Sequence, residues 1–191
     1  MTPELVVVGC SLGGMYALET ILKALPEGFC IPIAVAQHRH RQSNESLPAF
    51  LRRATHMHVV DAEDKQYIKP GKVYLAPADY HLLVEKGEFN LSVDDAVRHS
   101  RPSVDVLFES AADAYGPNLI GIVLTGANAD GAEGARRIKK RGGVVIAQDP
   151  KTAESAAMPE AVIATGVVDQ ILRLEDIAAF LVERCRLALT P

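Results

Sequence analysis

Short apolar runs rich in β-branched residues alternate along this chain with stretches whose apolar residues recur at helical spacing. Residues 5–8, 31–36, 119–124, 144–147 and 167–172 are the strand-like runs, several ending in glycine or a polar residue. Nearly continuous apolar character, rather than alternation with polar residues, is what a strand covered on both faces requires. Between them, residues 13–25 carry Leu18, Ile21, Leu22 and Leu25 on one helical face, and Pro26 and Gly28 end that helix. A helix is expected over 46–54, with Pro48 tolerable only near its first turn. Arg101-Pro102-Ser103 opens a helix with the inner stripe Val104, Leu107, Phe108, Ala111, Ala112 and Tyr115. Residues 130–141 form a helix closed by Gly142-Gly143, a shorter one covers 159–164, and the last buries Leu174, Ile177, Ala178, Leu181, Val182 and Cys185.

Such alternation predicts an α/β fold: a doubly wound, mostly parallel sheet with helices on both faces. The middle of the chain differs. Residues 73–76, 81–85 and 89–93 read as short strands, and Lys86-Gly87-Glu88 as a turn, which predicts an antiparallel hairpin at the sheet edge. With no internal repeat, low-complexity tract or linker, residues 1–191 read as one domain.

Bulk properties exclude several classes of function. A formal net charge of −4 gives no general attraction for nucleic acid or anionic membrane. The chain lacks a signal-peptide pattern at Met1-Thr2-Pro3-Glu4 and any apolar run near the roughly 20 residues that span a bilayer. Cys10, Cys30 and Cys185 are odd in number and form no CxxC pair, so they read as reduced, buried thiols. A cytoplasmic protein without membrane insertion is expected.

The strongest local signal is Gly9-Cys10-Ser11-Leu12-Gly13-Gly14, a G-x-S-x-G turn between the first strand and the first helix. Glycines allow positive φ and close backbone approach there, and the helix N-terminus offers free N–H groups to a developing oxyanion. A glycine-rich turn in this place also suits a nucleotide phosphate. The dinucleotide fingerprint, however, places glycine where Ser11 stands and an acidic residue where Gln37-His38 ends the second strand. On the turn alone, nucleophile and phosphate site stay balanced. Position adds weight, because ligands of open parallel sheets lie beyond the carboxyl ends of the strands. Ser11, His38 and Asp130 follow three different strands, and they are the types needed for nucleophile, general base and orienting carboxylate. Taken singly, Asp130 serves equally well as an N-cap of its own helix.

The motifs Gly9-Cys10-Ser11-Leu12-Gly13-Gly14, Ala36-Gln37-His38, Arg101-Pro102-Ser103-Val104-Asp105, Leu124-Thr125-Gly126 with Asp130-Gly131, Ala147-Gln148-Asp149 and Met158-Pro159 resemble the catalytic domain of the chemotaxis protein-glutamate methylesterases, the CheB family. The resemblance runs in order over nearly the whole chain. It implies hydrolysis of γ-glutamyl methyl esters on methyl-accepting chemotaxis receptors, with deamidation of receptor glutamines in many members. It places the nucleophile on Ser11, the base on His38, the orienting carboxylate on Asp130 and a backbone oxyanion donor on Ala127. No cofactor or metal is implied.

This chain departs from the family pattern in three places. Ala127-Asn128 stands where Met-Gly is usual, Leu12 where a small or polar residue is usual, and Arg39-His40-Arg41 follows His38 where Met-Pro is more common. The family typically carries an N-terminal receiver domain, whereas this sequence opens on the first catalytic strand. Either a stand-alone domain or a response regulator acting in trans is expected.

Other residues carry weaker signals. His38-Arg39-His40 and His56-Met57-His58 have the alternation that points two histidines one way, but no accompanying ligand cluster. Arg136, Arg137, Lys139, Lys140 and Arg141 read as a solvated helix end that complements the macrodipole. Arg101-Pro102-Ser103 suits substrate contact and a helix start equally. An imidazole base implies activity that rises with pH as the ring loses its proton. The rival readings are a receptor-binding module without turnover, a nucleotide-binding domain, and an esterase acting on a methylated protein outside chemotaxis.

Overall fold

The protein, seen in a computed structural model, is described for residues 2–38 and 47–189, with side chains through Cys185. Seven parallel strands form one sheet: β1 (Leu5–Cys10), β2 (Ile33–Gln37), β3 (His58–Asp61), β4 (Lys72–Leu75), β7 (Leu119–Val123), β8 (Val144–Gln148) and β9 (Gln170–Leu172), in the order β3-β4-β2-β1-β7-β8-β9. Strand β1 is buried along its whole length, as its unbroken apolar run requires. Its odd and even residues serve opposite cores. Val6, Val8 and Cys10 face helices α1 (Gly14–Ala24) and α6 (Ile177–Leu189), while Leu5 and Val7 face α3 (Val104–Tyr115), α4 (Ala132–Lys140) and α5 (Ala157–Ile163). Helix α2 (Leu47–Leu51) joins the first of these cores through Leu47 and Leu51.

The doubly wound arrangement therefore stands as the alternation predicts. The hairpin is present too, as β5 (His81–Glu85) and β6 (Glu88–Ser92), paired antiparallel in a two-stranded sheet of their own. Leu82, Val84 and Phe89 bury against Leu107, Phe108 and Ala111, and Ser110 Oγ accepts the Val84 N–H at 3.1 Å. Residues 73–76 differ from expectation, because β4 is a parallel strand of the main sheet between β2 and β3. Sequence reasoning missed β3, where only Val59 is fully buried and the ends are exposed. The link from β3 to β4 is also shorter than the dozen or more residues usual for a parallel crossover. The helix expected over 46–54 is limited to Leu47–Leu51, and Ser46 lies outside the described residues.

Of the three cysteines, Cys10 and Cys185 are buried, but Cys30 is exposed at the loop before β2. It follows the exposed Glu27-Gly28 turn, and its Sγ lies 3.6 Å from that of Cys185. The basic end of α4 is spanned by ion pairs: Arg137 and Arg141 to Asp113, and Lys139 to Asp169. Among the described residues no helix is long and apolar enough to cross a membrane.

Helices α3 and α4 cap one another through two aspartates. Asp130, just before α4, accepts the N–H groups of Val104 at 2.7 Å and Asp105 at 2.9 Å, the first residues of α3. Asp105 in turn accepts the N–H groups of Gly131 at 2.9 Å and Gly134 at 2.8 Å, at the start of α4. Each carboxylate thus satisfies orphan donors of the other helix and lies at the positive end of its dipole. Burial pushes the Asp105 carboxyl up to about 6, helped by the neighbouring Asp130 charge and opposed by the Gly134 N–H and by Arg98, whose Nε lies 3.4 Å away.

Close backbone approach locks this unit to the sheet. A Cβ on Gly9 would lie 2.2 Å from Val104 Cγ1 and 2.9 Å from Cγ2, so α3 sits on β1 only because residue 9 has no side chain. Gly9→Ala should destabilise the fold by about 1–3 kcal/mol, since Val104 is β-branched and cannot rotate away. Urea denaturation should show the loss, and adding Val104→Ala should recover part of it; strictly additive effects would contradict the contact. Because the folded chain holds the Asp105 proton more tightly than the unfolded one, its stabilising effect is full below about pH 4 and lost as pH rises through about 6. Asp105→Asn should gain on the unsubstituted protein across that window, by on the order of 1–2 kcal/mol. A stability difference that stays flat from pH 4 to 7 would contradict the shift.

Candidate active site

Adjacent strands β2, β1 and β7 end together, and the chain turns differently after each. Cys10 pairs with Gln37, the His38 N–H donates to Cys10 O at 3.1 Å, and the Ser11 N–H donates to Thr125 O at 2.9 Å. From β1 the chain winds outward to β2 over the face of α1, whereas from β7 it winds the opposite way to β8 over the face of α4. The gap between β1 and β7 is thus a topological switch point, where crevices form in open α/β sheets. An open cleft of about 850 Å³ lies there, lined among others by Ser11, Leu12, His38, Ser100, Arg101 and Asn128.

The turn carrying Ser11 owes its shape to its glycines. Gly13, the N-cap of α1, has φ +78°, a conformation L side chains rarely adopt, and a Cβ there would also meet Glu154. Gly126 packs against Met158, whose Sδ would lie 2.0 Å from an added Cβ. Among the described residues the N–H groups of Leu12, Gly13 and Ala127 make no hydrogen bond within the chain, and Ala127 is exposed. Of the three residues, Leu12 lines the cleft. Leu12 projects from the turn with 54 % of its surface exposed. Cys10, next to the serine, is buried, and burial pushes its thiol up, so it remains a protonated core residue.

His38 and Asp130 meet. His38 Nε2 lies 2.8 Å from Asp130 Oδ2, and the Asp130 carboxylate is wholly buried. That carboxylate accepts four hydrogen bonds: from His38 and the Val104 N–H on Oδ2, and from Ser103 Oγ at 3.0 Å and the Asp105 N–H on Oδ1. Burial raises its affinity for a proton, but the His38, Asp105 and Val104 donors outweigh burial and hold it below the usual carboxylate range. Asp130 is therefore a cap, as its position suggested, but of α3 rather than α4. The N-cap of α4 is Gly131, without a side-chain bond.

The donor set fixes the imidazole tautomer. An ionised carboxylate only accepts, so Nε2 carries the hydrogen and Nδ1 presents a lone pair. Asn128 Nδ2 lies 3.1 Å from that Nδ1, while Asn128 Oδ1 accepts the Asp130 N–H at 3.0 Å. Ser100 Oγ stands 3.5 Å from the same nitrogen, near the limit of a hydrogen bond. Ser11 lines the same cleft, but no hydrogen bond joins its Oγ to His38.

Several supporting contacts escaped the sequence. Ser103, left between substrate contact and helix start, is the N-cap of α3 and also donates to Asp130. Its own N–H donates to Nδ1 of the buried His81, whose Nε2 bonds Asp95 O at 3.1 Å. Nothing in the pattern of residues 81–85 distinguishes this histidine from a strand residue. Arg101 Nη1 donates to Val93 O at 2.7 Å and Asp94 O at 3.0 Å, tying the end of the hairpin to the cleft wall. Ser103 before an apolar run was a legible cap signal, whereas the bonds made by Asp105 and His81 depend on tertiary placement. Among the described residues no group of three or more His, Cys, Asp and Glu side chains is arranged to hold a metal. His56 and His58 are exposed, and Arg39-His40-Arg41 lies outside the described residues.

Comparison with known proteins agrees with this fold. Residues 6–181 match the family model described as CheB methylesterase. A Leptospira interrogans protein that carries the name "Putative protein-glutamate methylesterase/protein-glutamine glutaminase" is 47 % identical over 179 residues, 93 % of each chain. The protein-glutamate methylesterase FrzG of Myxococcus xanthus is 39 % identical over 94 % of this chain, which spans 54 % of that protein. The crystal structure of the Thermotoga maritima CheB methylesterase catalytic domain superposes with a TM-score of 0.90 at 37 % identity, covering 96 % of this chain and 99 % of that one. With its fold, its cleft and a family match over most of its length, the chain belongs to the CheB methylesterase family.

Proposed function

We propose that the chain is a serine hydrolase that removes methyl groups from γ-glutamyl esters of methylated proteins, chemotaxis receptors first among them, and that Ser11, His38 and Asp130 carry the reaction. The observation that supports this most directly is the 2.8 Å bond from His38 Nε2 to a buried, four-fold hydrogen-bonded carboxylate beside the serine's own cleft. Asp130 holds the ring and compensates the charge it acquires, and the remaining nitrogen, Nδ1, is the one that takes the proton from Ser11 Oγ. The alkoxide attacks the ester carbonyl, and the oxyanion settles against N–H groups of the Ser11 turn and Ala127. His38 returns the proton to departing methoxide, and water then repeats the sequence to release the glutamate carboxylate. Glutamine deamidation follows the same path with ammonia as leaving group, in keeping with the glutaminase activity named for the Leptospira relative. Ser11 Oγ and His38 close on one another when substrate fills the cleft, since catalytic hydrogen bonds are often loose before binding.

The Asn128 contact with the base favours a second reading, a receptor-binding module with little turnover.

Ser11→Ala should retain the melting transition and lose methanol release from a methylated receptor by a factor of about 10³ or more. A variant as active as the parent would remove Ser11 from the mechanism, and receptor binding without methanol release by the parent would establish the second reading. Asp130→Asn should lower turnover by roughly 10³ to 10⁴ through the wrong tautomer and also destabilise α3 by about 1–3 kcal/mol. Steady-state kinetics and denaturation would have to change together; a stability loss at full activity would make Asp130 a cap and nothing more.

A further inference from the structure

The nitrogen of His38 that a base must offer to Ser11 is already occupied. Asn128 bridges two fixed partners, and their chemistry leaves its amide one orientation. The Asp130 backbone N–H can only donate, so the atom 3.0 Å from it is the amide oxygen. The amide NH₂ then faces His38 Nδ1 at 3.1 Å, and that nitrogen, with its hydrogen committed to Asp130 on the far side of the ring, can only accept. The donor–acceptor pattern therefore closes without a mismatch as long as the imidazole is neutral. Once the ring takes a proton on Nδ1, an N–H stands against the amide NH₂, donor against donor. Ser100 Oγ, at 3.5 Å, makes the longer of the two contacts with Nδ1.

We propose that Asn128 is a latch on the catalytic base: its amide caps His38 Nδ1 in the free protein and must swing out before Ser11 can pass its proton to the ring. The inference rests on the Ser-His-Asp reading above and deepens it by naming what restrains the site. Asn128 is a positioning residue, acting on Ser11 only through His38. Its place suits the task, since it is half-buried on the loop between β7 and α4, and its neighbours Ala127 and Ala129 are exposed and leave the amide room to turn into the cleft. The latch keeps the unliganded serine poorly nucleophilic. A substrate that fills the cleft displaces the amide and frees the nitrogen.

Diisopropyl fluorophosphate tests this without the natural substrate. Ser11 Oγ forms a bond to phosphorus, the P–F bond breaks, the serine proton passes to His38 Nδ1 and fluoride leaves. Two substitutions separate a latch from a turn-former. Asn128→Gly removes both bonds of the side chain, whereas Asn128→Ser keeps a hydroxyl within reach of the Asp130 N–H but cannot reach His38. The latch predicts that both variants phosphorylate at least about fivefold faster at saturating reagent than the parent, with an unchanged half-saturating concentration. Labelling of the two variants with none of the parent is the same result in stronger form. If Asn128→Ser matches the parent, or if both variants react at the parental rate or slower while melting as the parent does, the side chain serves the turn and the latch is overturned. Ser11→Ala distinguishes this from failure of the underlying reading. A parental labelling rate in that variant would overturn the serine mechanism itself, and the latch with it.

Discussion

A single buried carboxylate organises both the fold and the site. Asp130 receives four hydrogen bonds, two from the first backbone amides of α3, one from Ser103 and one from His38. An unpaired charge at such depth would be strongly destabilising, so the ionised form persists only while all of these donors converge on it. The same bonds that stabilise the start of α3 therefore hold the imidazole in one tautomer. Asp105 completes the arrangement by capping α4 from within α3, so that loosening either helix loosens both and releases the ring.

This convergence depends on the sheet. Strands β2, β1 and β7 are neighbours and in register, which places the residues that follow them within one crevice although they lie far apart in sequence. Glycines at the closest approaches, Gly9 under Val104 and Gly126 under Met158, let the surrounding side chains come down onto the strand ends. The tight turn after Ser11 exists because Gly13 accepts a positive φ at the head of α1. The departure at Asn128 falls on a loop that touches both the His38 ring and the Asp130 backbone N–H.

Much of this was legible in the sequence, and for identifiable reasons. Strands buried on both faces announce themselves as unbroken apolar runs, and helices with one apolar stripe announce their period, so the doubly wound sheet could be foreseen. Ser11, His38 and Asp130 stood out because each follows such a run. Strand β3 was not legible, because its mostly half-buried and exposed residues lack the signal, and without it β4 was placed with the antiparallel segment at the sheet edge. The exposure of Cys30 and the placement of His81 under Ser103 arise from contacts between distant segments, which local pattern does not encode. Asn128 was visible as a substitution in a turn. Its contact with His38 Nδ1 was not, since it depends on the distance between two loops.

The central claim is that Asp130 fixes the proton of His38 on Nε2 and so makes Nδ1 the basic nitrogen facing the serine. Nitrogen-15 NMR of the His38 ring at neutral pH measures this directly. The account predicts a ring protonated on Nε2, with a downfield N–H proton that is lost in Asp130→Ala. A ring protonated on Nδ1, or one that exchanges freely between the two forms, would contradict it.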